Sequence, residues 1–160
     1  MSAILRDVVS ESELESYLHE QIPLSKAMGV RVCKATPEEV RLHVPLQPNL
    51  NHRRTVFGGS ASAAATLAAW CLLYVRLTAH QARPELVIQS NTTQYSRPIT
   101  SDFVARTLPV AEPEWERFSK VLGRKGRGRI EIRSVLEADG QICCEFQGRF
   151  VALCDDHPHA

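Results

Sequence analysis

A long stretch without a charged side chain, from Thr55 to Val75, constrains this chain more than any other feature. Its middle part is rich in alanine and leucine, which favour a helix. A helix that is apolar on all sides has to be buried, because no side of it gains from contact with water. The stretch is long enough to cross a membrane, but its glycines, serines and threonines weaken that interpretation. We therefore expect a buried central helix and no membrane partner.

The segments on both sides of this stretch support a soluble core for that helix. Ser10 and Glu13 form the capping box of a short amphipathic helix, which Pro23 is expected to end. Alternating apolar and polar residues from Val30 to Val32 and from Val40 to Val44 predict a hairpin of two strands. Because strands with one apolar face need an apolar element to cover, they favour burial of the central helix.

Four further strands and one more helix are predicted after the central helix. Strand-like patterns run over Leu86–Tyr95 and Phe103–Leu108, and an amphipathic helix opens at Glu112–Pro113. The last two strands form a hairpin that turns at Asp139–Gly140, and the tail Asp155–Ala160 is expected to fray. This order of elements predicts a domain of the α+β class.

Length and composition fit a single domain over residues 1–160. The chain is 44% hydrophobic, which is enough for a core of its own. Its 19 Lys and Arg against 18 Asp and Glu leave a formal charge of +1, and a charge so close to zero gives no support to a nucleic-acid partner. Met1 to Ser10 has no apolar stretch long enough for a secretory signal, so we expect a cytoplasmic protein. The five cysteines show neither CxxC nor paired histidine spacing, so we expect reduced thiols and no metal site.

Three local patterns resemble those of hotdog-fold thioesterases. They are an asparagine followed by a glycine pair in Asn51–Gly59, the Tyr-x-Arg-Pro motif in Tyr95–Pro98, and Gly148–Ala152 in the last strand. Two regions resemble, more narrowly, the thioesterase-like bacterial domain that is found fused to acetyltransferases or standing alone. The first is residues 49–60 together with 68–70, and the second is the helix that precedes residues 128–132. This resemblance covers about residues 12–153 and implies a hotdog fold, in which an antiparallel sheet wraps around a long central helix.

The resemblance also implies an activity and partners. Members of the group decarboxylate malonyl-acyl carrier protein to its acetyl form, which feeds the initiation of fatty acid synthesis. The implied substrate is a thioester of acyl carrier protein or CoA, whose phosphopantetheine arm carries the acyl group, and no cofactor of the enzyme is expected. In the family the active site lies between two subunits, so a homodimer or a dimer of dimers is implied.

The start of the central helix is the predicted reaction centre. Unpaired backbone N–H groups and the positive end of the helix dipole at Gly58–Gly59 suit an oxygen that becomes negative. Glycine also lets a substrate approach the backbone closely, although both glycines could simply begin a tightly packed helix.

Thr66 decides between the possible reactions. Many hotdog thioesterases carry a carboxylate at this position, seven residues after the second glycine, and nothing from Gly58 to Val75 is acidic. Hydrolysis therefore lacks its usual base, unless Thr66 and Ser62 hold a water molecule less effectively. Decarboxylation of a malonyl thioester instead needs donors on the thioester oxygen and no negative charge facing the substrate carboxylate.

The candidate catalytic residues are accordingly Asn51, Gly59 and Thr66. The Asn51 amide could donate to the substrate or satisfy its own loop, and the Thr66 hydroxyl could orient the substrate or bond the carbonyl one turn back. Candidates for substrate binding are His52, Val56, Phe57, Gly58, Ser60 and Arg97. His52 is either a general acid or a loop histidine bound to backbone, and its role stays open.

Positive charge is concentrated in a few places that could meet a charged partner. These are Arg53, Arg54, Arg97 and the run Arg124–Arg129, which are either solvated surface or a contact for a phosphate or an acidic carrier protein. Three hypotheses follow: a malonyl-acyl carrier protein decarboxylase, which the missing carboxylate favours, an acyl-CoA or acyl-carrier-protein thioesterase, and a non-catalytic module that binds acyl thioesters.

Overall fold

The structure is a computed structural model that describes residues 9–154. The predicted fraying of the tail at Asp155–Ala160, and most of the N-terminal segment used to predict location, lie outside these residues. Every helix and strand that the sequence predicts is found within them.

The N-terminal helix has the predicted bounds and is followed at once by another. Helix α1 spans Glu11–Gln21 and has the predicted capping box, in which the Glu13 amide donates to Ser10 Oγ at 3.2 Å. Helix α1 ends just before Pro23, as expected, and a second helix that the sequence did not predict, α2, spans Pro23–Ala27. Proline lacks an N–H that the first helical turn would leave unpaired, so it suits this position.

The remaining elements follow the predicted order. Strands β1 (Arg31–Ala35) and β2 (Val40–Val44) form the first hairpin, and a single 3-10 turn, not predicted, spans Gln47–Asn49. The other elements are α3 (Gly58–Ala79), β3 (Glu85–Tyr95), β4 (Phe103–Thr107), α4 (Glu112–Lys125), β5 (Arg127–Ala138) and β6 (Gln141–Leu153). The closing hairpin turns at Asp139 and Gly140, whose positive φ values of 50° and 74° belong to the type I′ turn that joins twisted strands.

All six strands form one antiparallel sheet in the order β1-β2-β4-β5-β6-β3. Helix α3 packs against every strand, and residues such as Ala64, Ala68 and Leu72 are fully buried between helix and sheet. The predicted α+β hotdog architecture, with a sheet wrapped around a long central helix, is therefore confirmed.

One face of α3 departs from the prediction of complete burial. By length and composition α3 could cross a membrane, yet 67% of its most apolar window is buried inside the domain. The exception is a stripe of half-buried residues one turn apart, Ser62, Thr66, Trp70 and Tyr74, which we call the open stripe. Every strand of the sheet contacts α3, whereas the far end of the open stripe, at Trp70 and Tyr74, lies between β3 and α1.

The far end of α3 is closed by α4. The Arg76 guanidinium lies 4.2 Å from the centre of the Trp115 ring and pairs with Glu112 at 3.1 Å. Phe118 packs so tightly on Gly128 that a Cβ there would lie 3.0 Å from the ring. A site that uses a free end of α3 must therefore be built at its N-terminal end.

Candidate active site

The loop that leads into α3 is held together by Asn51. The side-chain oxygen of Asn51, Oδ1, accepts from the backbone amides of Arg53 at 2.8 Å and Thr55 at 3.1 Å. The side-chain nitrogen of Asn51, Nδ2, donates to Thr55 Oγ1 at 2.8 Å. The alternative in which Asn51 satisfies its own loop is thus found in this structure. Only one of the two amide N–H bonds is used in this way, so one donor stays available to a substrate.

The first turn of α3 offers backbone donors and no competing acceptor. Phe57 occupies the N-cap position without a side-chain cap, the first turn holds no acidic residue, and the first helical bond runs from the Ala61 amide to the Phe57 carbonyl at 3.0 Å. The amides of Gly58, Gly59 and Ser60 precede that bond and therefore have no partner within the helix. An anion or a developing oxyanion would be stabilised there.

The two glycines of this turn differ in what they allow. A Cβ at Gly59 would lie 2.3 Å from Phe57 Cε1, because the exposed Phe57 ring packs directly over this glycine. At Gly58 a Cβ would meet only the Tyr95 ring, at an ordinary 3.8 Å. Gly59 therefore has a packing role, which is one of its two expected roles, whereas Gly58 leaves room beside the helix start.

A cavity of about 280 Å³ lies against this helix start. Its lining residues are Val56, Ala61, Tyr95, Ser96, Arg97, Pro98, Ile99 and Cys144. The Tyr95 hydroxyl donates to the Gly58 carbonyl at 3.4 Å, which joins the end of β3 to the first turn of α3. Two predicted binding residues, Val56 and Arg97, are thus brought together beside Gly58, and the only charged residue in the lining is cationic.

Cys144 and Tyr95 are lining residues that the site prediction did not include. Tyr95 could have been found, because it begins the Tyr-x-Arg-Pro motif, but no sequence signal marks Cys144. Burial, with a smaller contribution from Cys143, raises the pKa of the Cys144 thiol to about 11. The thiol is therefore neutral near pH 7 and forms part of an apolar wall rather than a nucleophile.

Thr66 lies on the open stripe and not in the lining of this cavity. Its hydroxyl donates to the Ser62 carbonyl at 2.8 Å, and the Ser62 hydroxyl donates to the Gly59 carbonyl at 3.1 Å. The predicted alternative of a bond one turn back is thus adopted, although the hydroxyl oxygen can still accept. From Gly59 to Thr66 the helix rises by about 10 Å, so the two candidate groups do not reach the same small ligand within one chain.

The other predicted residues border the site from outside. His52, Arg53 and Arg54 are exposed in the loop before α3, and Ser60 is half-buried in its first turn. Among residues 9–154, no group of three His, Cys, Asp or Glu side chains is placed to hold a metal ion.

A larger cleft of about 420 Å³ elsewhere is a weaker candidate. It lies over β1, β2, β4 and β5, and it contains Cys33 and the pair His43–Asp102, whose Nε2 and Oδ2 are 3.6 Å apart. Its described lining contains no helix residue, and its three carboxylates, Asp102, Glu137 and Asp139, outnumber the single guanidinium of Arg41, so an anionic acyl group is disfavoured there.

Comparison with known proteins finds one family model and several solved structures that are similar to this chain. The model of a family described as "Putative thioesterase (yiiD_Cterm)" matches residues 11–154. A protein of unknown function from Chlorobaculum tepidum is similar in structure, with a TM-score of 0.84 and 23% identity over 92% of this chain and 99% of that one. A thioesterase from Haemophilus influenzae has a TM-score of 0.74 and 12% identity over 98% and 99% of the two chains.

A protein from Shewanella oneidensis, described as a putative thioesterase, has a TM-score of 0.77 and 23% identity over 89% of this chain and 96% of that one. At such identities these structures establish the shared fold and leave the reaction to be argued from the site.

Proposed function

This chain belongs to the thioesterase family whose model it matches, and on that premise we propose that it decarboxylates malonyl-acyl carrier protein to the acetyl form. The family supports an acyl-thioester enzyme in general. One observation about α3 carries the finer proposal. The helix starts with backbone N–H groups that have no partner within the helix, and it carries Thr66 at the position where a catalytic carboxylate would be expected.

The proposed reaction breaks the bond between the α-carbon and the carboxylate of the malonyl group. Its electron pair forms a thioester enolate, CO2 leaves, and a proton is then added to the α-carbon. The amides of Gly59 and Ser60 would donate to the thioester oxygen as it becomes negative, and one such donor is worth roughly 3 kcal/mol of barrier in other enzymes. The remaining Asn51 donor would hold the thioester or the carboxylate, and Thr66 would orient the substrate or relay the proton.

Hydrolysis is the second candidate, and the membership in a thioesterase family favours it. It needs a base that removes a proton from water, and the side chains of the open stripe nearest the helix start are the hydroxyls of Ser62 and Thr66. A hydroxyl is a far weaker base than a carboxylate at neutral pH, so we rank hydrolysis below decarboxylation. A non-catalytic module that binds the same thioesters is the third candidate.

We propose that the active protein is a homodimer, with a dimer of dimers as the larger alternative. Gly59 and Thr66 of one chain are too far apart to act on one malonyl group, whereas a two-fold axis could bring the helix start of one chain to the open stripe of the other. Strand β3 lies at an edge of the sheet and leaves Val87 and Ile88 49% and 38% exposed. An edge strand with two exposed apolar side chains is a natural site for pairing with a second copy.

The exposed arginines beside the site support a phosphorylated or acidic partner. Arg53 and Arg54 precede the helix start, and Arg97 lines the cavity. They would attract the phosphate of a pantetheine arm or the acidic surface of a carrier protein, by an attraction that weakens with salt. Arg53→Glu should therefore raise the KM for the carrier protein, while Arg117→Glu on α4 should leave it unchanged; equal effects would remove the loop from recognition.

Intact-mass measurement of malonyl-acyl carrier protein after incubation tests the proposed function. Loss of one CO2 with the thioester retained supports decarboxylation. Appearance of the free carrier-protein thiol would instead establish hydrolysis, and binding without any change of mass would leave the non-catalytic module. The cytoplasmic location and the absence of cofactor, membrane and nucleic-acid partners stay predictions from the sequence.

A further inference from the structure

Three aromatic rings meet at the end of the open stripe, and we call Tyr17, Trp70 and Tyr74 the aromatic cluster. Their centroids form a triangle with sides of 4.8 Å for Tyr17–Tyr74, 5.2 Å for Trp70–Tyr74 and 6.2 Å for Tyr17–Trp70. The ring planes lie within 19° of parallel in every pair. Contacts of this kind stabilise a fixed arrangement beyond the burial of the rings.

The aromatic cluster spans the space between β3 and α1. On one side the Trp70 indole N–H donates to the Leu86 carbonyl of β3 at 3.1 Å, which fixes the orientation of the ring. On the other side Tyr17 projects from α1, which is tied to β1 because Glu15 accepts from the Val32 amide at 2.9 Å. The rings are therefore held from two directions, and they form a wall rather than a mobile surface patch.

This wall lies one helical turn beyond Thr66. Trp70 follows Thr66 at the i+4 position of the open stripe, which corresponds to a rise of about 6 Å along the helix. Trp70 and Tyr74 are only half-buried, and Tyr17 is 36% exposed, so the rings do not belong to the closed core behind α3. A chain that extended from Thr66 along the open stripe away from the helix start would meet the Trp70 ring within a few carbon atoms.

We propose that the aromatic cluster closes the acyl end of the site and restricts the substrate to short acyl groups, with Trp70 as the residue that sets the limit. This inference rests on the proposed function, because it takes Thr66 as the place where the acyl group is bound. An acyl group that extends from Thr66 along the open stripe by more than a few carbon atoms, such as hexanoyl or octanoyl, would have to displace the stacked rings, whereas acetyl and malonyl groups are too short to reach them. The rings also offer an apolar surface that excludes water from the reacting thioester.

Binding of unreactive alkyl thioethers of CoA tests the inference without requiring that the protein turn over a substrate. Calorimetry would compare ethyl, butyl, hexyl and octyl thioethers on the wild type, Trp70→Leu and the control Trp115→Phe, which alters a tryptophan on α4. In the wild type and the control, affinity should stop rising or fall beyond the short chains. In Trp70→Leu it should rise roughly fourfold for each added methylene that enters the opened space.

A second variant guards against misfolding of the first. Tyr17→Leu removes one ring of the aromatic cluster from α1 and leaves α3 intact, so it should relax the length limit in the same direction; thermal unfolding checks that each variant is folded. The same length profile in the folded Trp70→Leu variant and the wild type overturns the inference and leaves the proposed function standing. Failure of the wild type and both variants to bind any thioether overturns the inference alone, because the proposed function concerns the carrier-protein thioester and is tested separately by intact mass.

Discussion

Replacing Thr66 by aspartate places a negative charge where we propose that the malonyl carboxylate must be tolerated. The matched control is Thr66→Asn, which has nearly the same shape and no charge. Both variants lose the bond from the Thr66 hydroxyl to the Ser62 carbonyl, so a stability cost of about 1 kcal/mol is common to both and cancels in the comparison. The difference between the two variants therefore isolates the charge.

The size of this difference follows from the position of Thr66, which is half-buried on the open stripe. Two unit charges about 5 Å apart in surroundings with an effective dielectric constant near 20 repel each other by about 3.3 kcal/mol. That energy corresponds to a loss of roughly 250-fold in kcat/KM for Thr66→Asp relative to Thr66→Asn.

The assay is the rate of conversion of malonyl-acyl carrier protein, followed by intact mass in the same buffer for both variants. If kcat/KM of the aspartate variant lies within about threefold of the asparagine variant, the carboxylate of the substrate is not bound near Thr66 and our reasoning is refuted. The same spectra report whether the aspartate variant begins to release free carrier-protein thiol, as a restored base would predict.

Two other predictions concern the assembly and the thiols. Ile88→Glu on the exposed edge of β3 should shift the mass measured by light scattering toward that of the monomer. The control is Ile142→Glu on the closing hairpin, where Ile142 is about as exposed as Ile88, and it should leave the mass unchanged. If both variants remain dimers, β3 is not part of the interface. At pH 8 iodoacetamide should alkylate the exposed Cys33 and spare the buried Cys144, because a pKa of about 11 keeps the Cys144 thiol protonated. Peptide mapping that finds Cys144 modified first would contradict its place in the cavity wall.

The order of elements could be predicted from the sequence because it depends on local signals. The Ser10 capping box, the start of the central helix at Gly58 and the Asp139–Gly140 turn are each specified by a few neighbouring residues. The pairing of β3 with β6 at the edge of the sheet is not local, since the chain passes through β4, α4 and β5 between them. Side-chain periodicity assigns a strand but does not assign its neighbour.

The candidate site was predicted in part. The sequence predicts the helix start and names Val56 and Arg97 as binding candidates; the structure is what brings these two into one cavity, and it adds Tyr95 and Cys144 from the paired strands β3 and β6. Composition could not predict that α3 leaves the open stripe uncovered, because an alanine-rich helix looks equally apolar on all sides. That uncovered stripe is what separates Thr66 from the buried core and makes a role in binding possible.

The most direct test of the central claim is the intact mass of malonyl-acyl carrier protein that is incubated with the protein in D2O and returned to H2O before measurement, so that only carbon-bound deuterium remains. Decarboxylation through an enolate predicts a carrier protein that has lost CO2, keeps its thioester and carries one new deuterium on the acetyl group. A carrier protein with a free thiol, and malonate in solution, would contradict the account.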